Sequence, residues 1–320
     1  MINGLWSMVL KLGFKTLNVV MQNTSNVLMI RPVAFTYNAE TAVNNSFQTA
    51  GNAEAAQEKA LQEFDALVAK LRDNNIDVIV VNDTPVPHTP DSIFPNNWIS
   101  FHENGTAILY PMYAENRRAE RKQHVLDELN KKFKILNIID LTGFETENIF
   151  LEGTGSMVLD RDNKIAYACI SPRTNQKILE DFCKKMNYTA CTFTAVDSNG
   201  LEIYHTNVMM CVADKYVVIC LDSIKDENEH EYVKTIITNS GKKKISISPE
   251  QMNKFAGNML QLKNKKDEKV LVMSKQAYYA LNYGQISELE KFNKIIYVDL
   301  TSIETNGGGS ARCMIAEIFN

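Results

Sequence analysis

The chain has no CxxC pair and no cysteine or histidine run with metal-ligand spacing, although it carries six cysteines: Cys169, Cys183, Cys191, Cys211, Cys220 and Cys313. That excludes the common zinc frameworks and leaves free thiols, as expected of a reduced, cytoplasmic protein. It has no GxGxxG and no P-loop, and His88, His102, His124 and His230 show no ligand spacing, so no metal and no organic cofactor is expected. No run of about 18 apolar residues exists, hence no expected membrane span. A strong excess of one charge is also missing: the formal net charge is −4 and the pI ≈ 5.8. Neither nucleic acid nor an anionic membrane surface is an expected partner.

A clean secretory signal is absent as well. Met1 to Met21 carry Leu5, Trp6, Leu10, Phe14 and Val19, but Lys11 and Lys15 interrupt them and no small-residue cleavage site stands out. Residues 1–25 read as a weakly amphipathic extension outside the core, with Met21 as an alternative start. What remains, 26–320, has an ordinary soluble composition, 45% hydrophobic and 22% charged over the full chain, and is long enough for one large domain.

What is present is a repeat. Two apolar runs joined by a polar turn recur at Trp98 to Met112, Ser156 to Ile170, Val208 to Leu221 and Met259 to Met273, each reading as a β-hairpin. An amphipathic helical stretch follows each one: Asn116 to Phe133, Thr174 to Met186, Asp226 to Thr238 and Lys275 to Phe292. A short β-rich run closes each unit, at Ile135 to Leu141, Thr189 to Val196, Lys244 to Ile247 and Ile295 to Leu300. A strand at Val27 to Pro32, a helix at Glu54 to Asp73 and a strand at Asp77 to Val81 supply a further unit, completed by a C-terminal strand beside the N-terminal one. The turn centres recur every 52 to 58 residues, a period that predicts one α/β domain of five similar units in a propeller-like ring with few exposed edges.

Just before each hairpin, and before the last strand, sits a polar or glycine-bearing motif. The motifs are Phe94-Pro95-Asn96-Asn97, Phe150-Leu151-Glu152-Gly153, Tyr204-His205-Thr206-Asn207, Phe255-Ala256-Gly257-Asn258 and Gly309-Ser310-Ala311-Arg312-Cys313. Asn97, Glu152, His205, Asn258 and Cys313 are 55, 53, 53 and 55 residues apart. Equivalent positions of a ring face one axis, so a carboxylate, an imidazole and a thiol converge there. Taken alone, Cys313 after three glycines reads as one more small apolar residue of a buried strand running to Phe319. With His205 and Glu152 beside it, it reads as a nucleophile. Asn258, equivalent by spacing, receives no role.

These residues resemble the guanidino-group-modifying enzymes of the pentein superfamily. The resemblance is carried in order by Asp91-Ser92-Ile93-Phe94-Pro95-Asn96-Asn97, Arg117-Arg118-Ala119-Glu120, Leu151-Glu152-Gly153, Ser171-Pro172-Arg173-Thr174-Asn175, His205-Thr206-Asn207 and the terminal glycine-rich motif. Within the superfamily the chain is most similar to the citrulline-utilisation and dimethylarginine hydrolases of the amidinotransferase-related branch. The resemblance implies a five-unit α/β propeller with an axial site and no cofactor, acting on a small arginine-derived amino acid, with a homodimer as a common assembly. It implies that Cys313 attacks the central carbon of a guanidino or ureido group, that His205 transfers protons, and that Glu152 orients His205. Arg173, with Arg117 or Arg118, would clamp the substrate α-carboxylate, and Asp91 would take its α-amino group.

Two departures bear on the substrate. Asn97 and Asn207 stand where arginine deiminases carry aspartates, which weakens the Coulombic case for a fully charged guanidinium and disfavours plain arginine deiminase. An amide both donates and accepts, so these residues suit a neutral ureido group or a substituted guanidine. An amidinotransferase, with an amine in place of water, and a non-catalytic pentein-fold binding protein are the alternatives.

Overall fold

The computed structural model describes residues 21–50 and 53–319, so residues 1–20 of the expected extension lie outside the described residues. Fifteen strands form five three-stranded sheets. They are β1 (Asn26–Arg31), β2 (Asp77–Asn82), β3 (Ile99–His102), β4 (Thr106–Leu109), β5 (Asn137–Asp140), β6 (Val158–Asp160), β7 (Ile165–Cys169), β8 (Thr189–Phe193), β9 (Met210–Val212), β10 (Tyr216–Ile219), β11 (Lys243–Ser246), β12 (Leu260–Lys263), β13 (Lys269–Ser274), β14 (Lys294–Val298) and β15 (Ala316–Ile318). Four sheets repeat one pattern: a hairpin, a helical crossover, then a third strand parallel to the hairpin's second, as in β6-β7-β8. The fifth uses the ends of the chain. β1 pairs parallel with β2 and antiparallel with β15, Asn26 opposite Ile318.

The strand sequences follow from these positions. Middle strands are covered on both faces and read as apolar runs, with all four residues of β10 (Tyr-Val-Val-Ile) buried. Outer strands such as β5 and β11 are mostly exposed. Inner strands are buried yet carry polar residues, including Ser100, His102, Asp160, Gln261 and Glu317. The crossover helices lay one apolar face on the sheets. Gln176–Met186 buries Ile178, Leu179, Phe182 and Cys183, starts at the Asn175 cap and stops at left-handed Asn187.

Three expectations are corrected. The single helix over Asn116 to Phe133 is two, Glu115–Arg118 and Gln123–Asn130. The turn between them is anchored by Arg121 on Glu145 (2.7 and 3.0 Å) and by Lys122 on Asp83 (2.6 Å). Likewise Lys275 to Phe292 divides at Asn282, which opens a new helix with Gln285 as a capping box. Residues 22–24, placed outside the core by the sequence, are buried in it. The Gln22 amide donates to the carbonyls of Leu159 (3.0 Å) and Val212 (3.2 Å), and Thr24 donates to Ile318.

The hairpin entries of neighbouring units approach at backbone distance. A Cβ on Gly257 would fall into the Val208 carbonyl oxygen and lie 2.7 Å from the Met209 carbonyl carbon. Six cysteines are free thiols. Among the described residues no helix is long and apolar enough to cross a membrane, and no group of three His, Cys, Asp or Glu side chains is placed to hold a metal ion.

Backbone cannot retreat from a new methyl group, so Gly257→Ala is expected to destabilise the protein by about 1–3 kcal/mol. Gly143→Ala, where nothing lies within 4 Å, serves as the control and should change stability by less than about 0.5 kcal/mol. Urea midpoints of the two variants check this, and equal midpoints would refute the close packing.

Candidate active site

Three of the motifs that precede the hairpins lead into short helical turns. Phe94 leads into the 3-10 turn Pro95–Asn97, Glu152 into the helical turn Gly153–Ser156, and His205 into the turn Thr206–Met209. Cys313 follows left-handed Gly308 in a turn closed by its own N–H on the Ser310 carbonyl (2.9 Å). It is therefore not part of the last strand, which is limited to Ala316–Ile318. The glycines before it let the Phe94 ring lie against the chain; a Cβ on Gly309 would sit 2.9 Å from that ring and 3.3 Å from the Cys313 Cβ.

Asp91, Asn97, Arg117, Arg173, His205 and Cys313 face one cavity. Its volume is about 10 Å³, room for no more than one water molecule. Thr41 and Asn45, from the segment after β1, close it on one side.

Glu152 is fully buried against this group. Its Oε2 lies 2.8 Å from His205 Nε2, 3.6 Å from Arg173 and 3.8 Å from Arg117, and its Oε1 accepts from the Tyr113 N–H (3.0 Å). Burial pushes its carboxyl upward, but Arg173, the His205 hydrogen bond and Arg117 outweigh it and hold the group below the usual carboxylate range. For His205 burial is again the largest influence. With Arg173 and Arg117 it outweighs Glu152 and lowers the imidazole below its ordinary value. A neutral ring beside a carboxylate carries its proton on Nε2, which leaves Nδ1 as an acceptor.

The two candidate arginines separate. Arg118 is half-buried, stacks over Phe150 and donates to the carbonyls of Met112 and Tyr113, away from the cavity. Arg117 is buried, but the fork expected to clamp a substrate carboxylate is occupied. It donates to both Glu120 oxygens (2.7 and 3.0 Å), to Asn97 Oδ1 (3.0 Å) and to the Phe94 carbonyl (3.4 Å). Arg117 thus aims Asn97 and faces Glu152 while lining the cavity. Arg173 lies over the Tyr204 ring and donates to Asn44 Oδ1 (2.9 Å) and the Thr41 carbonyl (2.7 Å). These are the same segment's groups, and a substrate carboxylate could replace them. Asp91 Oδ2 accepts from Asn38 (2.8 Å) and Thr41 (3.2 Å), while its Oδ1 has no partner.

Asn97 Nδ2 and Asn207 Oδ1 are also buried without partners. Among the described residues the cavity lining thus leaves Asp91 Oδ1 and Asn97 Nδ2 unanswered, an acceptor and a donor that a molecule with both groups would satisfy, while Asn207 lines a separate small pocket with Gln22 and Arg312. Two residues near the site had no role in the sequence reading. Glu120, marked only by its i+3 spacing from Arg117, is buried with its carboxyl pushed up to about 7 by burial against the pull of Arg117. Asn258 was marked by the repeat spacing, and its Nδ2 lies 3.3 Å from Cys313 Sγ.

The five three-stranded sheets are those of a pentein-superfamily fold. The chain belongs to the N,N dimethylarginine dimethylhydrolase family, eukaryotic, whose pattern matches residues 31–320. Among solved structures it is similar to ArgZ, an arginine dihydrolase from the ornithine-ammonia cycle in Cyanobacteria, with TM-score 0.73 and 17% identity over 92% of this chain. The chain spans 40% of that protein's length. It covers 98% of the ArgZ N-terminal domain, seen in a variant covalently bonded to a reaction intermediate, at TM-score 0.73 and 17% identity. A dimethylarginine dimethylaminohydrolase adduct with S-methyl-L-thiocitrulline matches with TM-score 0.62 and 14% identity, over 92% of this chain and 100% of the other. No curated protein sequence matches.

The lowered imidazole has a thermodynamic consequence. The unfolded chain takes up a proton on this histidine near pH 6.5 that the folded protein refuses, so stability falls as pH drops below that value. Between pH 7 and 5 the melting temperature should therefore decline with a contribution of at most about 1.4 kcal/mol per pH unit from His205. His205→Gln should flatten the decline; Glu120 acts in the opposite sense and is common to both proteins. Identical pH profiles by calorimetry would contradict a neutral, buried His205.

Proposed function

We propose that this protein is a thiol-dependent hydrolase that cleaves a C–N bond in the guanidino or ureido group of an arginine-derived amino acid, of the dimethylarginine or citrulline type. The observation that carries the reading is Cys313 facing the same cavity as the Glu152-held His205, with partnerless amides at its edge. In the proposed reaction His205 Nδ1 takes the thiol proton and Cys313 Sγ bonds to the central carbon of the substrate. The same proton passes to the leaving amine as the C–N bond breaks. Water, deprotonated by His205, then attacks the carbon; the C–S bond breaks and the sulfur recovers its proton. Glu152 stabilises the imidazolium formed at each step.

Binding follows the same residues. The substrate carboxylate exchanges for Asn44 and the Thr41 carbonyl at Arg173, the bidentate geometry for which a guanidinium is suited. Its ammonium group meets the open Asp91 Oδ1, and Asn97 and Asn207 bracket the ureido or substituted guanidino end. Arg117 and Arg173 face three buried carboxyls, Asp91, Glu152 and Glu120, so the pocket does not repel a cationic substrate, and the neutral amides choose the substrate end. The closed propeller is part of the same proposal, supported by the β1–β15 pairing that joins the chain's ends, as are a single catalytic domain over 26–320 and a reduced, cytoplasmic setting suited to a free nucleophilic thiol.

Purified protein incubated with citrulline, mono- and dimethylarginine, arginine and N-succinylarginine, with products read by mass spectrometry, tests the reading. Ornithine from citrulline, or citrulline from a methylated arginine, is expected, and Cys313→Ser should lower the rate at least about 10³-fold. No turnover of any of them, with no adduct on Cys313, would reject the hydrolase.

A further inference from the structure

We infer that Asn258, together with Asn207, is the hydrogen-bond donor pair that aims the Cys313 sulfur into the cavity and receives its negative charge as His205 takes the thiol proton. This deepens the hydrolase reading and rests on it for the use to which the thiolate is put.

Asn258 is fully buried, and its amide is fixed by partners of opposite type at its two ends. Oδ1 accepts from the Arg312 backbone N–H (3.0 Å), while Nδ2 donates to the Asn207 carbonyl (2.9 Å). Turning the amide over would set a donor against a donor and an acceptor against an acceptor, so its orientation follows from its neighbours. The second Nδ2 hydrogen is left for Cys313 Sγ at 3.3 Å. Asn207 Nδ2 approaches the same sulfur at 3.4 Å. A carboxamide N–H beside sulfur favours the anion, which accepts strongly, over the thiol, which accepts weakly.

The nearby guanidinium groups make their hydrogen bonds elsewhere, although Arg312 also attracts the sulfur across space. Arg312, next in sequence, turns its guanidinium to the Ile315 carbonyl (2.8 Å) and to Glu317 (3.0 Å). Arg117 is engaged by Glu120 and Asn97, and Arg173 by Asn44 and Thr41. The other titratable groups around the cavity are His205, Asp91, Glu152 and Tyr204, whose hydroxyl donates to the Gly308 carbonyl (2.5 Å). A thiolate held by neutral donors repels neither a neutral ureido nor a cationic guanidino substrate. Asn258 also ties the fourth motif to the third through Asn207 and to the last through Arg312, which fixes where the sulfur sits.

The test is a pH titration of thiolate ultraviolet absorbance, taken as the difference from the corresponding Cys313→Ser protein so that the buried thiols and tyrosines cancel. Asn258→Ala should move the Cys313 midpoint up by about one pH unit, a tenfold smaller thiolate fraction at neutral pH. Asn258→Asp, whose carboxylate can still accept from the Arg312 N–H but faces the sulfur with an anion, should raise the midpoint by charge alone and serves as the positive control. A wild-type midpoint in Asn258→Ala would overturn the inference. If the Asn258 variants do not fold, Asn207→Ala, which leaves the Arg312 bond in place, carries the same two outcomes. Absorbance needs no substrate. A shifted midpoint without turnover would keep the donor pair and reject the proposed substrates, whereas turnover with an unshifted midpoint would do the reverse.

Discussion

A carboxylate with no access to solvent, Glu152, sets the terms for everything around it. An isolated buried charge of this kind would cost far more than the few kcal/mol by which a domain is stable, so it exists only with compensation in place. The compensation comes from three separate parts of the chain: His205 before β9, Arg173 after β7, and the segment after β4, which supplies both Arg117 and the Tyr113 N–H. None of these is near Glu152 in sequence except Arg173. The fold must therefore bring the hairpin entries together before the charge is tolerated, and the site is an energetic consequence of how the units pack rather than an attachment to them.

Close approach of those entries depends on residues that have little or no side chain. Gly153 stands against the Asn96 carbonyl with a left-handed φ of 46°, and Gly257 against the Val208 carbonyl. Both occur where one unit's turn meets the next, so the repeat is enforced at the axis by backbone contact and outside it by the apolar middle strands. With backbone so near, only short polar side chains fit at the centre, and asparagine recurs there: Asn96, Asn97, Asn207 and Asn258 are all buried. Amides at this density bind neighbouring backbone and sulfur, and their leftover N–H and C=O groups face the substrate position.

The sheet pattern was legible because its signals are local. Asn104-Gly105, Asp162-Asn163 and Asp214-Lys215 mark turns, and the apolar runs beside them became the antiparallel pairs β3–β4, β6–β7 and β9–β10. The helix breaks were not, since the turn at 119–122 is held by Arg121 on Glu145 and Lys122 on Asp83, partners 24 and 39 residues away. Burial of Gln22 was equally hidden: a polar residue joins the core only because the Leu159 carbonyl of β6 and the Val212 carbonyl of β9 face it. Spacing placed Glu152, His205, Asn258 and Cys313 at equivalent positions but could say nothing about orientation. Arg117 and Arg118 are neighbours in one helical turn and differ by which way each points, a property of the surrounding units.

Orientation also bears on how charge is balanced in the cavity. Arg117 is bonded to Glu120, and that carboxyl is pushed up to about 7 by burial, so its charge near neutrality is divided between two states. With Glu120 ionised, Arg117 is neutralised by its own neighbour and offers Glu152 only its remaining attraction. With Glu120 protonated, Arg117 acts more fully on Glu152 and, through it, lowers the readiness of His205 to accept a proton. The proton count on a residue that touches neither the imidazole nor the thiol thus enters the basicity of His205. Arg117 is thus bound into the scaffold through Glu120 and Asn97, whereas Arg173 is held only by the Asn44 side chain and the Thr41 carbonyl of the segment after β1 and by the Glu152 charge.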